Sequence, residues 1–86
     1  MKKEQLPRDG EEVLFISPST NQNRRSLNLS MCTIRSRKEL NPDSYAYADY
    51  TDNIAVEIQF SYYFDDNKHN GAYTWADLNE IHLIPA

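Results

Sequence analysis

The stretch IAVEIQFSYYF, residues 54–64, decides the fold. Every second position holds a large apolar or aromatic side chain, namely Ile54, Val56, Ile58, Phe60, Tyr62 and Phe64. The positions between them carry mostly small or polar side chains. Successive side chains of a strand point to opposite faces, so this period of two predicts a long antiparallel strand with one face in the core and the other in water.

The chain after this strand predicts a hairpin and a short ending. DDNKHNG, residues 65–71, is a cluster of turn formers that should reverse the chain, so that residues 72–75 pair back on the long strand. We expect Thr74 to cap one helical turn over residues 76–79. Residues 81–85 then form a brief last strand, which Pro85 ends.

The chain before it predicts two or three further strands. PRDG, residues 7–10, has turn chemistry and leads into a buried strand over residues 12–17. After a polar loop, residues 26–34 alternate as a second strand, with Ile34 out of phase. A bulge or a change of exposure near Cys32 would account for this slip.

Residues 45–50, YAYADY, follow the turn signal Asn41-Pro42-Asp43 and alternate as a third strand. The prediction is therefore a mainly β protein: a small antiparallel sheet of five to six strands, or a partly open SH3-like barrel, with at most one short helical turn. Such likeness of fold carries little information on function.

Length and composition place limits on the type of protein. The 86 residues predict a single domain, 1–86, in which residues 1–5 are flexible. The single Cys32 excludes an intramolecular disulfide, and no apolar run is long enough to span a membrane. The first twelve residues lack the apolar segment of a signal peptide, so we expect a cytoplasmic protein.

The opening LPRDGEEVLF resembles the start of a family of small phage and prophage proteins of uncharacterised function, which begin L-P-x-D-G-x-x-V-L. The end of the chain resembles that family loosely, because its W-x-P-L-P ending is absent here. The resemblance implies a phage or mobile-element origin and brings no catalytic residues. The matching residues are Leu6, Pro7, Asp9, Gly10, Val13 and Leu14.

No pattern in the sequence predicts catalysis, a metal or a cofactor. The loop that starts at Asp65 has Asn70 and Ala76 where an EF-type calcium loop needs glycine and glutamate. His69 and His82 lack a third ligand nearby, and Cys32 on a strand is typical of a small buried side chain. We therefore expect a protein that is not an enzyme.

Basic residues flank the second strand and give an alternative binding function. Beside aromatic rings they would contact phosphate groups of a nucleotide or nucleic acid. The pI near 5.0 argues against direct nucleic-acid binding, so a nucleotide or small-molecule site is the alternative that we keep, with a nucleic-acid-binding accessory protein after it. The candidates for phosphate contact are Arg24, Arg25, Arg35 and Arg37.

Tyrosines beside carboxylates are the most suggestive feature, because tyrosine is enriched at protein interfaces. The predicted partner-binding residues are Tyr45, Tyr47, Asp49, Tyr50 and Tyr63. Our leading hypothesis is a phage- or mobile-element-type binding protein that uses this acidic face against a host protein with a basic surface, inhibiting a defence or nucleic-acid-processing system. A homo-oligomer formed through strand pairing across a twofold axis remains an alternative.

Overall fold

The computed structural model describes residues 1–60 and 71–85. Its five strands are β1 (Glu12–Phe15), β2 (Ser30–Glu39), β3 (Ile54–Phe60), β4 (Tyr73–Ala76) and β5 (Ile81–His82). Neighbouring strands are antiparallel, and they form one open sheet in the order β4-β3-β2-β1-β5. A single turn of helix, α1 (Gln22–Arg25), and short 3₁₀ turns complete the described chain. The prediction of a mainly β fold is confirmed.

Strand β3 lies inside the sheet, between β2 and β4, and organises the core as predicted. Its side chains Ile54, Val56, Ile58 and Phe60 are buried, and Phe60 packs edge-on against Phe15 of β1 with ring centroids 6.0 Å apart. The predicted continuation through residues 61–64 lies outside the described residues. The expected return is present, since the N–H of Phe60 donates to the carbonyl of Ala72 and β4 then pairs along β3.

The second strand begins four residues later than predicted and runs five residues further. Asn21 caps α1, and the N–H groups of residues 27 and 28 donate to carbonyls of α1, so they are not available to a sheet. Leu29 follows with φ at +71° and is 71% exposed, so it lies outside the sheet although it was predicted to be part of the strand. The inward positions are Ser30, Cys32 and Ile34.

The charged residues 35–39, which lie beyond the predicted second strand, form the second half of β2. Its backbone pairs with β3 from Ser36 to Glu39, while the side chains of residues 37–39 are exposed. The register is regular from Cys32 to Ile34 and shifts between Ile34 and Ser36, so the bulge expected near Cys32 is not there. The backbone of β2 thus continues to pair with β3 in a segment whose side chains show no alternation of apolar and polar residues.

The predicted third strand over residues 45–50 is wrong. The N–H of Tyr47 donates to the carbonyl of Ser44, and that of Asp49 to Ala46, so the segment winds into 3₁₀ turns. Asp52 and Asn53 then adopt positive φ values, of 52° and 58°, which redirect the chain into β3. The hydrogen bonds within this segment satisfy its backbone groups without a neighbouring strand. The alternation of tyrosine and alanine was therefore a weak indication of a β-strand.

Asp77, rather than Thr74, caps the turn after β4. Its side chain accepts from the N–H of Asn79, and the side chain of Glu80 reaches back to the N–H of Asp77. This reciprocal pair holds the 3₁₀ turn Leu78–Glu80, which leads directly into β5. At the other terminus, the amino group of Met1 donates to the carbonyl of Leu78, while the flexibility expected for residues 1–5 stays a prediction.

Candidate binding groove

Three of the five predicted partner-binding residues lie together in the connection between β2 and β3. Tyr45, Asp49 and Tyr50 belong to its 3₁₀-turn region, and Tyr45 is 98% exposed. They line one groove of about 400 Å³ together with Trp75, one of the two outward-facing residues of β4. We call this depression the acidic groove. Its remaining lining residues are Arg24, Ala46, Asp77 and Glu80.

Asp77 fixes the position of the tyrosine-bearing connection against the turn that follows β4. One carboxylate oxygen accepts from the N–H of Thr51 at 2.6 Å, and the other accepts from the Thr51 hydroxyl at 2.8 Å. The same side chain caps the turn at Asn79. These hydrogen bonds join the connection between β2 and β3 to the turn after β4, so both sides of the groove are tied to each other.

Arg24 also lines the acidic groove, and its guanidinium makes its contacts within the chain. Its guanidinium pairs with Glu80 at 2.6 Å, donates to the carbonyl of Trp75 at 3.2 Å, and lies 5.2 Å from the ring centroid of Phe15. These contacts tie α1 to β4 and to the last turn. The guanidinium predicted to contact phosphate is thus engaged with a carboxylate, a carbonyl and a ring.

Glu80 is the buried centre of this network. Its carboxylate accepts from Arg24, from the N–H of Asp77 at 3.0 Å and from the hydroxyl of Ser17 at 2.6 Å. Burial alone would raise the pKa of Glu80, but these hydrogen bonds and the charge of Arg24 outweigh it and lower the pKa below its ordinary value. Glu80 therefore stays ionised at neutral pH.

A second depression, which we call the side pocket, lies beside the acidic groove. It measures about 250 Å³ and shares four lining residues with the groove. The shared residues are Tyr45, Ala46, Tyr50 and Trp75. The residues that line the side pocket but not the acidic groove are Lys38, Leu40, Ser44 and Ala55.

Two predicted partner-binding residues are not part of this groove. Tyr47 lines a different depression with Pro42 and Asn53, and its carbonyl accepts from the Asn53 amide at 2.7 Å. Tyr63 lies outside the described residues. The tyrosines that adjoin in sequence are thus divided between two surfaces by the 3₁₀ turns.

The other basic candidates lie apart from the groove. Arg25 is exposed on α1, and Arg35 and Arg37 are exposed on β2. The guanidinium of Arg35 lies 5.9 Å from the ring centroid of Tyr73, which is 55% exposed. None of these three arginines lines the acidic groove or the side pocket.

The residues considered for catalysis or metal binding do not form a site in the described chain. Cys32 is fully buried, and desolvation raises the pKa of its thiol to about 12, which keeps it protonated. His82 is exposed, and His69 lies outside the described residues. Across residues 1–60 and 71–85, no three metal-ligating side chains cluster, and no helix is long and apolar enough to cross a membrane.

Sequence reasoning missed Trp75, Asp77 and Glu80 as groove residues. Asp77 and Glu80 have the spacing of a capping box, which identifies a turn but not its neighbours. Trp75 gave no signal of its own, because its exposure of 41% follows from its place on an edge strand. No protein family matches the chain, no curated protein matches it significantly, and no solved structure does.

Proposed function

We propose that this chain is a non-enzymatic binding protein whose acidic groove takes a basic segment of a partner protein. One observation carries the proposal: the rings of Tyr45, Tyr50 and Trp75 line the same groove as the carboxylates of Asp49 and Asp77. The groove is acidic apart from Arg24, whose charge is paired with Glu80. A cationic side chain is the ligand that this combination favours.

Rings and carboxylates act on an arginine in complementary ways. A guanidinium stacks on an aromatic face, which contributes about 0.5–1 kcal/mol at an exposed site and more where water is excluded. Its planar fork also donates two parallel hydrogen bonds to one carboxylate. Trp75 and Tyr45 supply faces, and Asp49, which is exposed, supplies a carboxylate for such a pair. Arginine therefore suits the groove better than lysine.

The wider setting of the proposal is a phage or mobile-element protein that acts in the cytoplasm of its host. The resemblance of LPRDGEEVLF supports this origin, and inhibition of a host defence or nucleic-acid-processing protein is the proposed consequence. Proteins of that class carry basic surfaces for nucleic acid, which an acidic groove complements. An SH3-like barrel is the fold that we propose for the whole chain, supported by the strand order and by the 3₁₀ turn before β5.

A peptide titration tests the proposed function. Trp75 is the only tryptophan in the chain, so its fluorescence reports on the groove. We expect hexa-arginine to change this fluorescence saturably and hexa-glutamate to leave it unchanged. The double variant Tyr45→Ala, Asp49→Asn should weaken binding at least tenfold, whereas the control Tyr47→Ala should bind as the parent does. Equal affinity of both variants would reject the groove as the binding site.

The pair Arg35–Tyr73 supports a second candidate, a nucleotide site outside the acidic groove, on the same outward face of β4 as Trp75. The ring is accessible for stacking on a base, and the guanidinium beside it suits a phosphate. A thermal-shift screen with nucleoside mono- and triphosphates separates the candidates. Stabilisation by several degrees that Arg35→Gln abolishes would favour the nucleotide; no shift would leave the acidic groove as the binding surface.

A further inference from the structure

The outer edge of β4 presents backbone hydrogen-bonding groups to its surroundings. β4 stands at one end of the strand order and pairs with β3. The N–H of Phe60 in β3 donates to the carbonyl of Ala72 at 2.9 Å, which marks this position as a hydrogen-bonded pair. Such pairs alternate along an antiparallel ladder. Thr74 therefore bonds to β3, whereas the N–H and C=O groups of Tyr73 and Trp75 point away from it.

One hydrogen bond agrees with this direction and shows where the outer edge meets the acidic groove. The guanidinium of Arg24 donates to the carbonyl of Trp75 at 3.2 Å, so this carbonyl faces away from β3. Arg24 also lines the acidic groove. The groove therefore lies alongside the outer edge, at the Trp75 end of β4. In the part of the chain that the structure describes, three outward groups are left for a partner: both groups of Tyr73 and the N–H of Trp75.

An extended segment laid beside β4 would satisfy these three groups. One of its residues would exchange two hydrogen bonds with Tyr73, and the residue two positions away would accept from the N–H of Trp75. The carbonyl of Trp75 is bonded to Arg24, so the pairing would end there. From that point the segment would continue into the acidic groove, where the exposed carboxylate of Asp49 suits an arginine side chain.

Charge favours a partner segment over a second copy of β4. The groove beside the outer edge carries the carboxylates of Asp49 and Asp77, and β4, residues 73–76, has no cationic side chain to meet them. A basic extended segment supplies both the backbone groups and the opposite charge. We infer, building on the proposed function, that the partner's basic segment binds as an added strand. It pairs with the outer edge of β4 and places its arginine in the acidic groove.

N-methylation of a peptide backbone tests this inference. The probe is a heptapeptide of threonines with arginine at its fourth position, because threonine is a good strand former and a single arginine fixes the register. One derivative is N-methylated at the third and fifth residues, and the other at the second and sixth. In an added strand the N–H groups that face β4 come from alternate residues, so methyl groups on one set alone block the approach of the two backbones.

The fluorescence of Trp75 gives the affinity of each peptide. We expect one derivative to bind at least tenfold more weakly than the unmodified peptide and the other to bind as tightly as it does. A groove that recognises only the arginine side chain would bind both derivatives alike. Hydrogen exchange gives a second readout, because saturating peptide should slow the exchange of the Tyr73 and Trp75 amides at least tenfold.

Two variants of Tyr73 test the same contact from the side of the protein. Tyr73→Pro removes an outward N–H, and the ladder to β3 does not use this group. Tyr73→Ala is the matched control, since it removes the same ring and keeps the N–H. We expect the proline variant to bind the heptapeptide at least tenfold more weakly than the alanine variant. Circular dichroism checks both folds, and the comparison of N-methylated peptides needs only the parent protein.

The outcomes distinguish this inference from the proposed function. Weaker binding of one derivative alone supports the added strand. Equal affinity of the two derivatives, or of the two Tyr73 variants, overturns it, and the acidic groove stands if the unmodified heptapeptide binds. Binding of hexa-arginine without binding of the heptapeptide also overturns it, because charge alone then governs recognition. If neither peptide binds, the proposed function fails and the inference with it.

Discussion

Replacing Glu80 by glutamine should destabilise the fold by about 2–3 kcal/mol. One carboxylate oxygen of Glu80 accepts from Arg24 Nη2 and from the N–H of Asp77, and the other accepts from Arg24 Nε and the Ser17 hydroxyl. Glutamine has one acceptor oxygen, so its amide nitrogen faces donors in either orientation. Two hydrogen bonds to a charged group are lost, at about 1.5 kcal/mol or more each, reduced because the side chain of Arg24 is 27% exposed.

The same network gives the effect a defined pH dependence. Since the pKa of Glu80 in the folded protein lies below its ordinary value of 4.5, the unfolded chain takes up the proton first as the pH falls. The contribution of Glu80 is therefore complete above about pH 5 and is lost progressively as the pH falls below 4.5. The difference in stability between the parent and Glu80→Gln should shrink over that interval.

Urea unfolding at pH 7 and at pH 3.5, followed by circular dichroism, measures both effects. Asp52→Asn is the matched control, because Asp52 is an exposed carboxylate at positive φ, a conformation that asparagine also tolerates. It should change the free energy of unfolding by less than about 0.5 kcal/mol at pH 7. A loss for Glu80→Gln no larger than that of the control, or a loss that is the same at both pH values, would refute the reasoning.

Three further predictions concern the core and the first turn. Cys32 should react with a thiol reagent at pH 8 only as fast as the protein unfolds, so its labelling rate should rise with urea as the folded fraction falls. Ile58→Ala should cost about 2–5 kcal/mol in urea unfolding, because Ile58 is fully buried in the central part of the sheet. Gly10→Ala should lower the free energy of unfolding by about 1 kcal/mol, because φ at Gly10 is +91° although space for a methyl group is open; an unchanged value would show that the turn relaxes.

The long alternating strand was predictable because its pattern and its environment agree. β3 has one face in the core, so hydrophobic periodicity reports its structure directly. The second strand was harder, because its outer half is built of exposed charged residues whose side chains carry no periodic signal. Leu27 and Leu29 made the predicted strand begin too early. Hydrogen bonds to α1 and the positive φ of Leu29 keep this part of the chain out of the sheet.

The candidate site was predictable in part for a related reason. Composition identified Tyr45, Asp49 and Tyr50, since tyrosines beside carboxylates are typical of protein interfaces, and in the structure Tyr45 and Asp49 are exposed while Tyr50 is half-buried. Their neighbours Trp75 and Asp77 come from a distant part of the chain, and the contact between Asp77 and Thr51 is set by tertiary packing. Tyr45 and Tyr47 lie on different surfaces because the segment forms 3₁₀ turns. The alternating sequence predicted a strand instead, so this separation could not be foreseen.

The bond from Arg24 to the carbonyl of Trp75 has a consequence for copies of this chain at high concentration. β4 stands at one end of the sheet order, and an end strand is a template onto which a strand of another molecule can add. A guanidinium on that rim occupies a carbonyl that an incoming backbone would need and sets a bulky cation in its path. A strand of a second copy could pair at this position of β4 only by displacing the Arg24 side chain from the carbonyl of Trp75.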